Sequence, residues 1–156
     1  MPEPTQLNLS RYIPALINLL ANKLATGASI CYRKHFGIGV VEWRLLAMLK
    51  VENNITANRM SQAIGLDKSA VSRSLQLLEK AGYVSSQVDS QDARRNTVSL
   101  TAEGLALHDR VLKVALERER RLLGDLNAEE VDTLINLLGR LQTQVAHVNE
   151  FDPLEP

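Results

Sequence analysis

The sequence predicts a mainly α fold with a small β-hairpin, and three observations carry the prediction. Apolar residues recur at helical spacing along most of the 156 residues. Two short helical segments are joined by the turn Gly65-Leu66-Asp67, which gives a helix-turn-helix. Directly after them, two short stretches alternate like strands around a polar tip. A helix-turn-helix followed by a β-hairpin is a winged helix-turn-helix, here flanked by long N- and C-terminal helices.

The elements follow in chain order. Residues 9–35 read as a long helix, with Ile13, Leu16, Ile17, Leu20, Leu24, Ala28 and Cys31 on one stripe and Pro14 near its start, where proline is tolerated. Gly37 and Gly39 end it. Residues 40–51 form a second helix, apolar at Val41, Leu45, Leu46 and Leu49, and Asn53-Asn54 is a turn. Thr56 caps a short helix, 57–64, with Gly65 at its C-terminal end. Asp67 caps the next, which runs to about Ala81 and stops at Gly82. Residues 83–88 and 96–100 alternate as strands around the tip DSQDARR (89–95). Thr101 caps a helix over 102–123, apolar at Leu105, Leu112, Ala115 and Leu122. Gly124-Asp125 breaks that helix, and Asn127 with Glu130 has the spacing of a capping box. The last helix, about 128–147, carries Val131, Leu134, Ile135, Leu137, Leu138, Leu141, Val145 and Val148, and the tail EFDPLEP is expected to fray.

Composition limits the function classes. Apolar residues make up 45%, enough for a packed core. Lys+Arg and Asp+Glu are 18 each, so any attraction to a polyanion must be local. It is local: residues 1–55 hold six basic and three acidic residues, 56–100 six and four, and 101–156 six and eleven. A polyanion would meet the first two-thirds. One cysteine excludes an intramolecular disulfide and a multi-cysteine zinc site. His35, His108 and His147 lack metal-ligand spacing. No apolar run reaches the roughly 20 residues of a membrane span, and MPEPTQLNLSRY lacks the pattern of a signal peptide. A reduced, cytoplasmic location is expected. No phosphate-cradling glycine loop, nucleophile elbow or paired-carboxylate arrangement stands out, so neither catalysis nor a cofactor is expected.

The second helix of the helix-turn-helix divides into two faces. Ile64, Leu66, Val71, Leu75 and Leu78 form the set that seats it. The opposite face shows Lys68, Ser69, Ala70, Ser72, Arg73 and Gln76. Small residues near the front of a helix let it enter a major groove, and hydrogen-bonding residues behind them reach base edges. Arg94 and Arg95 sit at the hairpin tip, and an exposed arginine there suits the electronegative minor groove. Asp92 is placed to hold the loop while Arg94 points outward. The terminal helices carry more Leu and Val than one small lobe can cover, which points to a symmetric dimer. A monomeric bundle burying the same residues is the competing arrangement.

The stretches FGIGVVEWRLLAML (36–49), SQAIGLDKSAVSRSLQLLEKAGYV (61–84) and DARRNTVSLTAEG (92–104) resemble the MarR family of transcriptional regulators. The family's Asp-x-Arg wing pattern and Leu-Thr-x-x-Gly closing motif match Asp92, Arg94, Leu100, Thr101 and Gly104. The resemblance covers nearly the whole chain as a single 1–156 unit. It implies a 40–101 winged-helix lobe that binds DNA, with 9–35 and 102–148 as dimerisation helices. It also implies a homodimeric, ligand-responsive regulator, most often a repressor, released from a pseudo-palindromic operator by a small aromatic acid or its CoA thioester. On this reading Ser69, Ser72, Arg73 and Gln76 contact bases or nearby phosphates. Lys68 and Ser61 are expected at phosphates. Arg94 enters the minor groove oriented by Asp92, with Arg95 near the backbone. Ser29, Arg33, His35 and Trp43, near the junction of the first two helices, are the candidate effector residues: Trp43 to stack on a ring, Arg33 or His35 to pair with a carboxylate. The run YRKHFGIGVVEWR looks similar to family regulators of aromatic-acid catabolism. Three further readings stay open: an architectural DNA binder without a ligand, a regulator sensing oxidants through Cys31, and a helical protein-interaction module.

Overall fold

The computed structural model describes residues 2, 5–92 and 94–155. The chain forms two compact units, residues 1–112 and 113–156. The first contains α1 (Ile13–Phe36), α2 (Val40–Val51), β1 (Ile55–Thr56), α3 (Ala57–Ile64), α4 (Lys68–Lys80), β2 (Val84–Val88), β3 (Asn96–Leu100) and the start of α5 (Ala102–Leu122). The second contains the end of α5 and α6 (Ala128–Glu150). No helix among the described residues is long and apolar enough to cross a membrane.

Local chemistry sets most boundaries. Pro14 lies in the first turn of α1, where its missing N–H is not needed. Thr56 Oγ1 accepts from Arg59 N–H at 3.1 Å and starts α3. Gly65, at φ +72°, ends α3 in the left-handed region that a side chain disfavours. Asp67 Oδ1 then accepts from Ala70 N–H at 2.8 Å and starts α4. A hydrogen bond from the Ser61 hydroxyl to the Leu66 carbonyl ties α3 to that turn.

The core of the first unit forms around α2. Leu45, Leu46 and Leu49 are fully buried together with Met60 of α3 and Val71 of α4. Leu78, Val84, Val98, Leu107 and Val111 close the same core from α4, the sheet and α5. The sheet has three antiparallel strands in the order β1-β3-β2, with Ile55 opposite Val98 and Val84 opposite Leu100. The two-residue β1 is an addition to the expected hairpin: two residues are too short for an alternation to show. Asn53 and Asn54 fasten the α2–β1 turn to β3. Asn53 Oδ1 accepts from Leu100 N–H at 3.1 Å, and Asn54 Oδ1 accepts from the Ser99 hydroxyl at 3.3 Å.

Two helices differ from their expected faces. α5 buries Gly104, Leu107, His108 and Val111, whereas Leu105 and Leu122 are exposed. Two of the four buried positions are Gly and His, so a search for apolar periodicity selects a neighbouring stripe. Of the expected α1 stripe only Ala28 is buried, joined by Tyr32, while Ile13, Leu16, Ile17, Leu20 and Leu24 stay exposed. In the second unit the capping box forms: Asn127 Oδ1 accepts from Glu130 N–H at 2.8 Å, and Glu130 Oε1 accepts from Asn127 N–H at 3.0 Å. α6 buries none of its residues and exposes Leu134, Ile135, Leu137, Leu138, Leu141, Val145 and Val148.

Candidate nucleic-acid interface

α4 is held by Val71, Ser74, Leu75 and Leu78, all buried on one side. A helix so seated must turn Ser69, Arg73 and Gln76 outward, and all three are exposed, as is Lys68; Ser72 is half-buried at the margin. Ser61 sits half-buried on α3 with its hydroxyl proton given to Leu66, so only its lone pairs remain free for another partner.

The wing tip is a built loop. Asp89 Oδ1 accepts from Gln91 N–H at 2.8 Å, and Asp89 N–H donates to the Arg95 carbonyl at 2.7 Å. Asp92 Oδ1 accepts from Arg94 N–H at 3.0 Å and, more weakly, from Arg94 Nε at 3.4 Å. Asp92 is half-buried, whereas the Arg94 side chain is 92% exposed. Ala93, the middle residue of the Asp-x-Arg pattern, lies outside the described residues.

Between the start of α3 and the wing lies a cleft of about 570 Å³ lined by Thr56, Ala57, Asn58, Lys68, Arg94, Arg95 and Asn96. It brings Lys68 of α4 and both wing arginines to one opening with no acidic residue in its lining. Thr56, Asn58 and Asn96 were not among the expected site residues. Asn96 follows Arg95 in the chain as the first residue of β3, whereas Thr56 and Asn58 are brought beside the wing by the pairing of β1 with β3, which no local pattern marks. Nearby, Arg59 donates to Glu52 in a two-pronged pair at 2.8 and 3.2 Å. That hydrogen bonding holds the Glu52 carboxyl below its ordinary range, and it leaves Arg59 occupied at the lobe's edge.

The candidate effector residues cluster at the α1–α2 junction, with mixed roles. Ser29 Oγ accepts from Val40 N–H at 3.1 Å and anchors the start of α2. The Arg33 guanidinium lies against Gly39 and near the Glu42 carboxylate. His35 is exposed, its ring 6.4 Å from Phe36. Trp43 is half-buried, edge-on to Tyr32 at 6.3 Å and stacked on His108 at 5.4 Å. His108, absent from the expected set, is 5% exposed and bonded through Nδ1 to Asp109 Oδ1 at 2.9 Å. Cys31 is half-buried on α1. Among the described residues no group of three His, Cys, Asp or Glu could hold a metal ion.

Comparison with known proteins adds an independent line. Residues 36–95, which span α2 through the wing tip, match the model of the MarR family. The chain is similar to a MarR/EmrR family transcriptional regulator from Acinetobacter sp. ADP1, at 37% identity and a TM-score of 0.85, over 90% of this chain and 99% of that one. It shares the fold of MepR from S. aureus, solved in complex with DNA, at 23% identity and a TM-score of 0.78, over 86% and 98% of the two chains. It also shares the fold of PcaV from Streptomyces coelicolor, solved with its natural ligand, at 22% identity and a TM-score of 0.74, over 90% and 98%. With the helix-turn-helix, the wing and the α1–α2 junction all in place, this chain belongs to the MarR family of transcriptional regulators.

Proposed function

We propose that the chain works as a homodimeric repressor that holds double-stranded DNA and lets go when a small aromatic acid, or its CoA thioester, binds. One observation carries the DNA reading. The exposed Ser69, Arg73 and Gln76 of α4 stand on the same lobe as a basic cleft that joins Lys68 to Arg94 and Arg95. α4 would enter the major groove, Arg94 the minor groove, and the cleft cations would meet phosphates. Exposed leucines on α1 and α6 support a dimer, which would set two α4 helices about 34 Å apart on a palindromic site. The effector would bind at the α1–α2 junction, beside Arg33 and Trp43. To release DNA it must bind the off-DNA form more tightly than the bound one. Arg33 and His35 supply positive or polar partners for a carboxylate there.

The test is a gel shift on the duplex upstream of the chain's own gene, repeated with the candidate effectors. Retarded DNA, freed by an aromatic acid that also raises Tm, is the expected result. A chain that ignores every duplex at low salt loses the DNA reading. DNA binding that no acid or thioester relieves leaves an architectural binder.

A further inference from the structure

Leu77 belongs to neither face that the sequence separates on α4. It is 59% exposed although its neighbours Ser74, Leu75 and Leu78 are buried. It lies one turn beyond Arg73 and one turn before Lys80, so it shares their side of the helix. Glu79, the acidic residue of α4, falls two turns beyond Ser72 on the other margin. Along α4, the residues one turn before and one turn after Leu77 on its side of the helix are therefore cations, and Leu77 itself stands open to solvent. Among the described residues neither Arg73 nor Lys80 is in an ion pair.

The chemistry of this patch selects its occupant. An apolar protein surface laid over Leu77 would press Arg73 and Lys80 against it and strip their water without supplying an acid, a costly desolvation. A duplex supplies both parts. Its phosphates meet Lys80, its base edges offer acceptors to Arg73, and its major groove carries one apolar group, the C5-methyl of thymine. Resting on the proposed DNA reading, we infer that Leu77 is a specificity-determining residue that packs on a thymine methyl in each half-site. Ser69 and Ser72, being small, let α4 come close enough for that contact. Arg73 and Gln76 remain free for guanine and adenine edges on the same face.

The experiment uses the full chain and duplexes selected by it from a random pool. Thymines in the protected half-sites are replaced one at a time by deoxyuridine, which keeps base pairing and removes only the methyl. One such replacement should weaken the unaltered chain about fourfold, the worth of one buried methyl group. The same replacement should leave Leu77→Ala unaffected, and Leu77→Met, which keeps an apolar contact, should retain the sensitivity. Leu77 is exposed, so both variants should keep the parent Tm. Equal losses in the parent and Leu77→Ala, no loss in either, or selected half-sites without thymine would overturn the assignment while DNA binding stands. Failure to select any duplex would instead sink the DNA reading, and this inference with it.

Discussion

At Gly104 an added Cβ would sit 1.9 Å from the Tyr83 carbonyl oxygen. That carbonyl cannot move aside, because it accepts from Thr101 N–H at 3.1 Å while the Thr101 hydroxyl donates to the Gly82 carbonyl at 2.6 Å. The Leu-Thr-x-x-Gly motif is thus a knot where the α4–β2 turn, β3 and α5 meet. Gly104→Ala should lower stability by roughly 1–3 kcal/mol or more, as overpacking does, read from urea unfolding midpoints; an unchanged midpoint would show that the knot yields. Arg94 is the residue on which the wing's role rests. Arg94→Ala should weaken binding to a selected duplex and reduce the dependence of log Kd on log salt by about one. Fluorescence anisotropy across a salt series measures both, and an unaltered slope would remove the wing from the interface. Residue types alone marked Arg94, because adjacent arginines on a polar tip have no packing role. His108 was not legible in that way: a lone histidine inside a helical run gains its place only when Trp43 of α2 stacks on it.

α3, α4 and α6 begin where a side chain closes a short hydrogen-bonded ring, and these N-caps were legible because each ring spans three residues. Asn127→Ala removes the side-chain half of the α6 box, the Oδ1 that accepts from Glu130 N–H, and should cost about 1 kcal/mol, visible in the thermal unfolding midpoint; no shift would mean that the Glu130 half and packing suffice to hold α6. At the end of α5, Glu117 accepts from Arg120 at 2.8 Å and Arg121 at 2.7 Å. These hydrogen bonds, Arg120 first, pull its carboxyl from 4.5 down to about 2. A carboxyl depressed in the folded state stabilises above its unfolded value and loses that contribution as pH falls toward the folded one. The stability gap between the unaltered chain and Glu117→Gln should therefore be present at pH 7 and shrink between about 4.5 and about 2. It should be small, because all three groups are solvated. Equilibrium denaturation at several pH values reads it, and a gap that ignores pH would show the cluster to be idle. The faces of helices were less legible than their ends. α5 buries Gly104 and His108, which no apolar count selects, because burial is decided by what packs opposite.

In each of the two units one helix exposes a long row of apolar residues, α1 in the first and α6 in the second. If a second copy covers α6, Leu138→Glu with Leu141→Glu should convert a sedimenting dimer into a monomer and weaken operator binding by at least tenfold. Such loss is expected when two half-site contacts no longer act together. A doubly substituted chain that stays dimeric would move the interface elsewhere. The order of the six helices and the hairpin, the capped starts of α3, α4 and α6, and the exposed polar face of α4 and the arginine-bearing wing tip were legible in the sequence alone. Each depends on interactions within a few residues or on the period of a single helix. Tertiary structure decided what required distant segments to meet. It paired Ile55 with Val98, stacked Trp43 on His108, gathered Thr56, Lys68 and Arg95 around one cleft, and left Leu77 in solvent among cations. Those outcomes follow from close packing between residues far apart in the chain, and local periodicity carries no record of them.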